Sequence, residues 1–330
     1  MSNVAFRGIT KDIFVSIINS MIRIAVVGAN ERSKKQIEKL LEIREFNLVG
    51  FYDHDEASSK LLENTYSISR FDDFNDLIRS ADAISIQSPI GTHYQYASKA
   101  IRNLKHVFVK QVLSENLEEA KELNQLADEA NVQLYVSHSQ KFHPNYQLLK
   151  RLVDDPQYIE CSRFDEKVLN YSTENLVFDL LLTDLELALN MVKSKVMRVR
   201  ATGACLHSNL VDFINVRIEF ANGCVLNMVC GNFKSEQGNK MKFFQRNKVF
   251  GLDLDTFKIS MLHSSESTEP EQILKTGKST RQSADIVKRE LEYFAQSINN
   301  HSLQLRTHSD NFDTLELCHL IIERLNITKR

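Results

Sequence analysis

Three constellations in this 330-residue chain carry residue types that do chemistry. The first is Gly28-Ala29-Asn30-Glu31-Arg32-Ser33, directly after the apolar run Ile22–Val27, with Asp53 placed 25 residues after Gly28. A glycine turn between a strand and a helix offers helix N–H groups to a pyrophosphate, and a later acid accepts hydrogen bonds from a ribose hydroxyl. Only the first glycine of a G-x-G-x-x-G loop is present. Asn30 takes the second position, where a side chain hinders backbone approach to phosphate. Ser33 takes the third, where it still packs closely and caps a helix. The second constellation is Asp179, Thr183 and Glu186. Their i, i+4, i+7 spacing is one face of a helix predicted over Glu174–Val192, a face of hydroxyl-binding groups. The third is His138, at the end of the predicted strand Val132–Ser137, with an imidazole that exchanges a proton near neutral pH. His138 and His143 have neither helical spacing nor a carboxylate partner, so no metal site is expected.

The elements that must position these groups alternate through the first half. Strands are predicted at Ile22–Val27, Asn47–Tyr52, Ala83–Gln87, His106–Lys110 and Val132–Ser137. Helical spacing falls between them at Ser33–Ile43, Phe74–Ser80, Tyr94–Leu104 and Leu117–Ala130. That alternation specifies a doubly wound parallel sheet, which binds ligands at the carboxyl ends of its strands. From about Asn145 the pattern changes. A helix at Tyr146–Val153, a strand at Tyr158–Phe164 and the helix Glu174–Val192 lead into period-2 runs at Val196–Cys205, Val211–Phe220, Cys224–Cys230 and Met241–Phe250. Ala221-Asn222-Gly223 is a hairpin turn, because Asn-Gly adopts positive φ cheaply. Ser264–Pro270 reads as a surface loop, and helices at Ala284–Asn299 and Asn311–Leu325 close the chain. The expected fold class is α/β plus α+β. An extension covers 1–20, a doubly wound domain 21–144, and a second domain on a mostly antiparallel sheet 145–330.

Composition narrows the function classes. Lys+Arg 41 against Asp+Glu 43 leaves a formal charge of −2, which excludes a strongly basic nucleic-acid binder. No apolar run is long enough to span a bilayer, so no membrane partner is expected. Residues 1–20 lack the shape of a signal peptide, since Ser16 breaks Ile13-Phe14-Val15 and no small-residue cleavage site follows. Five cysteines without a C-x-x-C pair read as buried free thiols of a cytoplasmic protein. With Gly 10, the chain has few glycines for a phosphate loop.

Past Asp53 the motifs become specific. Ser88-Pro89-Ile90-Gly91-Thr92-His93 follows the third predicted strand; His106–Val112 reads HVFVKQV; then come Leu117-Glu118-Glu119-Ala120 and Ser137-His138-Ser139-Gln140-Lys141-Phe142-His143-Pro144. This series resembles the glucose–fructose oxidoreductase/inositol dehydrogenase (Gfo/Idh/MocA) family. Its strings are a Thr-Pro plus His turn, H-V-F-V-E-K-P-L and G-H-x-x-R-F-N-P. The resemblance covers about residues 21–330. It implies an N-terminal Rossmann domain binding NAD(P) and a C-terminal domain whose open sheet face often forms the oligomer contact. The activity implied is oxidation or reduction of a sugar or sugar-nucleotide carbon. Gly28, Asn30, Glu31 and Asp53 are the implied cofactor positions of the first loop, with Ser88, Pro89, His93 and Lys110 beyond it. Asp53 repels a 2′-phosphate, so NAD is expected over NADP.

The sequence departs from the family at the acid/base positions. The E-K-P string reads Lys110-Gln111-Val112, so an amide replaces the family lysine and Val112 its proline. On a continuing strand Lys110 points to the opposite face from position 111, unless a bulge re-aims it. The helical D-x-x-x-H string holds Asp179 but has Thr183 for histidine. An amide and a hydroxyl do not exchange protons usefully near pH 7. The expected candidates at the reacting centre are therefore Gln111, Asp179, Thr183 and His138, with His138 the remaining proton carrier. Two functions compete. One is an NAD(P)-dependent oxidoreductase acting on a sugar or sugar nucleotide, as a homo-oligomer through the C-terminal sheet. The other is a catalytically degenerate dinucleotide- or sugar-binding sensor, or an inactive partner of an active paralogue.

Overall fold

The computed structural model describes residues 21–166, 176–207, 209–235, 238–263, 272–273, 282–299 and 313–328. The expected extension over 1–20 and the expected loop Ser264–Pro270 lie outside the described residues. The chain forms two compact units. One holds the described residues up to Glu115, Glu122–Val136 and the helical stretch that begins at Leu291; the other holds Asn116–Lys121, Ser137–Glu290 and the described part of Arg306–Arg330.

The first unit is built on strands β1 (Ile22–Val27), β2 (Phe46–Tyr52), β3 (Ala83–Ile86), β4 (His106–Lys110) and β5 (Leu134–Ser137). Their order is β2-β1-β3-β4-β5, and β1–β2, β1–β3 and β3–β4 pair parallel. The inner strands are sealed on both faces: Ile24, Ala25, Val26, Ala83, Ile84 and Ile86 are all 0% exposed. That is why they read as unbroken apolar runs. Helices α1 (Glu31–Glu42), α2 (Glu56–Tyr66), α3 (Phe74–Ser80), α4 (His93–Arg102) and α5 (Leu117–Ala130) connect them. Helix α2 was not expected. It buries only Ser59 and Leu62, so it has no apolar stripe to read; Asp55 caps its start by accepting from Ser58 N at 3.1 Å, and Ser67 ends it at φ 53°. The strand order reverses between β1 and β3, the switch point where doubly wound sheets place their ligands.

The second unit carries a nine-stranded sheet. To β6 (Tyr158–Phe164) are added β7 (Val196–Ala204), β8 (Phe213–Phe220), β9 (Val225–Gly231), β10 (Lys240–Gln245), β11 (Lys248–Asp253), β12 (Ile259–His263), β13 (Gln272–Ile273) and β14 (Leu325–Thr328). Their order is β13-β12-β11-β10-β6-β9-β8-β7-β14; β6–β9 and β7–β14 are parallel, and the other pairs are antiparallel. One face is dry, with Ile214, Val216, Ile218, Leu226, Met228 and Phe243 at 0% exposure. The β8–β9 hairpin closes as expected, with Gly223 at φ 87° donating to Phe220 O at 3.0 Å. The run Met241–Phe250 is two strands, not one. Asn247 takes φ 57° and turns β10 into β11, a turn hidden because the alternation continues through it. The last helix spans 313–323 and yields to β14, another element the periodicity did not signal.

Helix α6 (Pro144–Leu152) and helix α7 (Leu182–Leu189) belong to this unit. The expected α-helix Glu174–Val192 is not regular: Val177–Leu181 is a π turn that packs on β6 and β9 and leads into α7. Helix α8 (Gln282–Ile298) changes units along its length. From Leu291 it joins the first, where fully buried Phe294 stacks on Phe46 at 6.2 Å and meets Phe108 edge-on at 5.3 Å. All five cysteines are free; four are buried and Cys205 is half-buried. No helix among the described residues is long and apolar enough to cross a membrane.

Candidate functional site

In the first unit the site grows from the ends of β1 and β3. Gly28 has φ 110°, and a Cβ there would stand 2.9 Å from Ser88 N and 3.0 Å from Gln87 C. Only glycine lets these two strand exits close up. Its neighbour Ala29 donates its N–H to Asp53 Oδ2 at 2.6 Å, while Asp55 N donates to Asp53 Oδ1 at 2.8 Å. Asp53 therefore stands against the loop; His54 Nδ1 lies 3.3 Å from Oδ1, and Oδ2 keeps a lone pair for a further donor.

Asn30 caps α1. Its Oδ1 accepts from Arg32 N at 2.9 Å and Ser33 N at 3.1 Å, and its Nδ2 donates to Gln87 O at 2.7 Å. Ser33 Oγ reaches back toward Asn30 N, completing a capping box. A side chain thus occupies helix amides that a pyrophosphate uses in a three-glycine loop. Glu31 opens the helix with an exposed carboxylate paired to Lys34. The loop fits a dinucleotide at Gly28 and Asp53 and crowds it at Asn30.

Ser88 and Pro89 lead into a short 3₁₀ turn, Ile90–Thr92, where Thr92 Oγ1 donates within the turn to Pro89 O at 2.7 Å. His93, 4% exposed, puts Nδ1 2.7 Å from Val112 O and Nε2 2.8 Å from Ser88 O. Both ring nitrogens face backbone carbonyls, so the imidazole ties the exit of β3 to that of β4. Burial pushes its pKa below the ordinary 6.5, against the pull of the two carbonyls.

The strand rule that separates Lys110 from Gln111 stops at Lys110, the last residue of β4. Gln111 takes φ 70°, and Val112 N donates to Lys110 O at 2.8 Å. This is a γ-turn of the rare, strained hand. The special backbone geometry thus sits at the position where the resemblance places a lysine. Lys110 and Gln111 are both half-buried.

In the second unit the three residues expected on one helical face are graded. Asp179 on the π turn is exposed, Thr183 on α7 is half-buried and Glu186 is 1% exposed. The wider π turn breaks the spacing that would align them. Glu186 is an ion-pair centre. His138 Nδ1 lies against one carboxylate oxygen and Lys141 Nζ against the other. Burial alone would push Glu186 up, but these two groups hold it below the usual carboxylate range. His138 N donates to Glu290 Oε1 at 2.5 Å, and Ser137 Oγ donates to Glu290 Oε2 at 2.8 Å. Helix α7 is fixed to β6 by a second buried pair. Arg163 Nε and Nη2 donate to the fully buried Asp184 at 2.7 and 2.5 Å. Lys141 lay within a quoted motif string, but Glu290 and the Arg163–Asp184 pair carried no motif of their own, and partners so distant in the chain have no periodic signal.

A cavity of about 660 Å³ also lies in this unit, lined by Leu189, Val192, Val196, Leu317, His319 and Leu320 among others. None of the sequence-predicted site residues lines it.

Residues 22–138 match the family described as an oxidoreductase family with an NAD-binding Rossmann fold, Gfo/Idh/MocA. A UDP-N-acetylglucosamine 3-dehydrogenase of Acidithiobacillus ferrooxidans is 23% identical over 250 residues, covering 76% of this chain and 79% of that protein. Its solved structure superimposes with a TM-score of 0.81 at 21% identity over 94% of this chain and 98% of that one, a likeness of fold. A myo-inositol 2-dehydrogenase of Thermotoga maritima is 23% identical over 248 residues, covering 70% and 73% of the two chains. Residues 22–138 thus match the Gfo/Idh/MocA oxidoreductase family, and the parallel Rossmann sheet with a mostly antiparallel second sheet is the fold of the solved dehydrogenase.

Proposed function

We propose that this protein is an NAD-dependent oxidoreductase that acts on a hydroxyl of a sugar or sugar nucleotide, with His138 as its proton acceptor. The carrying observation is the buried Glu186 carboxylate against His138 Nδ1. Such a partner fixes the tautomer, stabilises the imidazolium and leaves Nε2 to exchange a proton. The substrate class is suggested by the relatives' names, UDP-N-acetylglucosamine 3-dehydrogenase and myo-inositol 2-dehydrogenase.

A nicotinamide dinucleotide, when bound, supplies the hydride acceptor. Gly28 admits its pyrophosphate, Asp53 receives its ribose hydroxyls and disfavours a 2′-phosphate, and Ser88, Pro89 and Lys110 border it. Residues 21–144 hold the cofactor in this reading, and 145–330 the substrate. Asp179 and Thr183 hydrogen-bond substrate hydroxyls. His138 Nε2 takes the hydroxyl proton as the carbon gives up its hydride, and Glu186 offsets the charge formed on the ring. A second copy of the chain pairs on the C-terminal sheet, whose outward residues include Arg200, Arg217, Asn227, Glu160 and Lys242 in one cross-strand row.

Asn30 favours a second reading, a non-catalytic dinucleotide or sugar sensor, because its side chain occupies α1 amides. The experiment measures thermal shifts with NAD, NADH, NADP and NADPH, then NADH formation with a panel of UDP-sugars and inositols. Turnover in the unmutated protein that His138→Asn abolishes supports the enzyme. Turnover only after Gln111→Lys with Thr183→His supports the sensor, and no shift with any dinucleotide refutes both as dinucleotide binders.

A further inference from the structure

The cavity of about 660 Å³ in the second unit is lined by two parts of that unit above all. Leu189 and Asn190 end α7, and Val192, Ser194 and Val196 lie on the path from it into β7. The helix 313–323 supplies most of the remaining lining. This helix has two apolar sides. Leu315, Cys318 and Ile321 are at most 4% exposed and belong to the core. Leu317 and Leu320, at i and i+3, line the cavity instead, together with Leu189, Val192 and Val196. A helix that is apolar on both sides is covered on both. Here the second side meets a space of the size that holds a small organic molecule, about 300–1,000 Å³.

The charges around this apolar floor are uneven. Asp313, Glu316 and Glu323 line the cavity and are exposed, which puts their carboxylates at its mouth. Glu316 and Glu323 are seven residues apart, two turns on one helical face, so Leu320 falls between them. Among the described lining residues there is one cation, Lys195. His319 adds no charge near neutral pH, because burial lowers its pKa below the ordinary 6.5. Three carboxylates against one ammonium leave the lining at a formal charge of −2. An anionic ligand is repelled by that field, a neutral one gains nothing from it, and an organic cation is drawn in.

We infer that this cavity binds a small organic amine, an ammonium group carried on an aromatic or branched aliphatic body. The body covers Leu317, Leu320 and the valines facing them, and the ammonium stands between Glu316 and Glu323. None of these residues belongs to the dinucleotide loop or to the His138–Glu186 pair. The cavity nevertheless touches the helix that carries that pair's carboxylate. Asn190 N and Nδ2 both donate to Glu186 O, at 3.1 and 2.9 Å, so a lining residue closes the last turn of α7. An amine seated here braces that turn.

The test uses three probes with one indole body and different heads: tryptamine, tryptophol and indole-3-propionate. The chain contains no tryptophan, so indole fluorescence reports bound probe in the full cofactor-free protein without background. Tryptamine is expected to bind saturably and, at ten times its Kd, to raise Tm by about 3–5 °C in melts followed by circular dichroism. Hydrogen exchange should slow at 189–196 and 313–323 when it binds. Glu316→Gln and Glu323→Gln should each weaken tryptamine about two- to fivefold, the effect of one exposed charge pair, and leave tryptophol unchanged. Val196 is 36% exposed, so Val196→Phe is tolerated by the fold and narrows the cavity; it should weaken all three probes together. If that variant does not fold, Val196→Leu takes its place with the same expectation. No saturable binding of tryptamine to the folded chain overturns the inference. So does equal or tighter binding of indole-3-propionate, an affinity for tryptamine unchanged in both glutamine variants, or exchange protection confined to the first unit.

Discussion

Replacing Asn30 with glycine restores the second glycine of the phosphate loop, and stability and affinity should then move in opposite directions. Asn30→Gly removes two accepted bonds, from Arg32 N and Ser33 N, and the donated bond to Gln87 O. An N-cap change from Asn to Gly costs only a few tenths of a kcal/mol, while the Gln87 bond contributes about 1 kcal/mol, giving about 1.5 kcal/mol in all. For a unit of this size that is a fall of about 3–6 °C in Tm. The same change frees two helix N-terminal amides for a pyrophosphate. Even one net charge-assisted bond, about 1.5 kcal/mol, tightens NAD roughly tenfold. Scanning fluorimetry without ligand reads the first effect, and titration calorimetry with NAD the second. Asn30→Asp is the control, since it keeps an acceptor at the cap and adds a charge that repels the pyrophosphate, so NAD should weaken. A lower Tm with unchanged NAD affinity would refute the claim that the cap and the pyrophosphate compete. An unchanged Tm would refute the capping account itself.

Three further outcomes follow from the geometry. Asp184→Asn leaves the Arg163 guanidinium with the exposed Asp255 carboxylate, 3.8 Å away, as its remaining counter-charge and should destabilise the second unit by about 3 kcal/mol in urea melts; a loss under 1 kcal/mol would show that the pair contributes little. Gln111→Gly relieves a positive φ that only glycine adopts freely, and is expected to raise stability by about 1 kcal/mol; a loss instead would mean that the Gln111 side chain anchors the turn. His106 is kept neutral by burial, its pKa lowered to about 4, and its Nδ1 accepts from Gln133 N at 2.9 Å. The unfolded chain binds this proton more tightly, so the contribution is complete above pH 6.5 and is lost as pH falls toward about 4. The span between those values corresponds to about 3 kcal/mol, and His106→Asn should flatten denaturation midpoints across that window.

The first unit was legible because its strands are covered on both faces and its helices on one, which leaves continuous and 3.6-period apolar runs. What escaped were elements with little burial or a disguised turn. Helix α2 shows almost no stripe, and the β10–β11 hairpin keeps its alternation through Asn247. The site divides along the same physical line. A lost group is visible at a single position, so Gln111 and Thr183 stood out against the family strings without any structure. A compensating group is visible only where folding brings distant residues together. Glu186 lies on α7, His138 and Lys141 on the turn after β5, and Glu290 on α8. The π turn at Val177–Leu181 adds to this, because it interrupts the regular helical spacing between Asp179 and Glu186. A sequence reading of such a protein therefore registers each substitution where it stands and misses the three-dimensional pairing of residues that lie far apart in the chain.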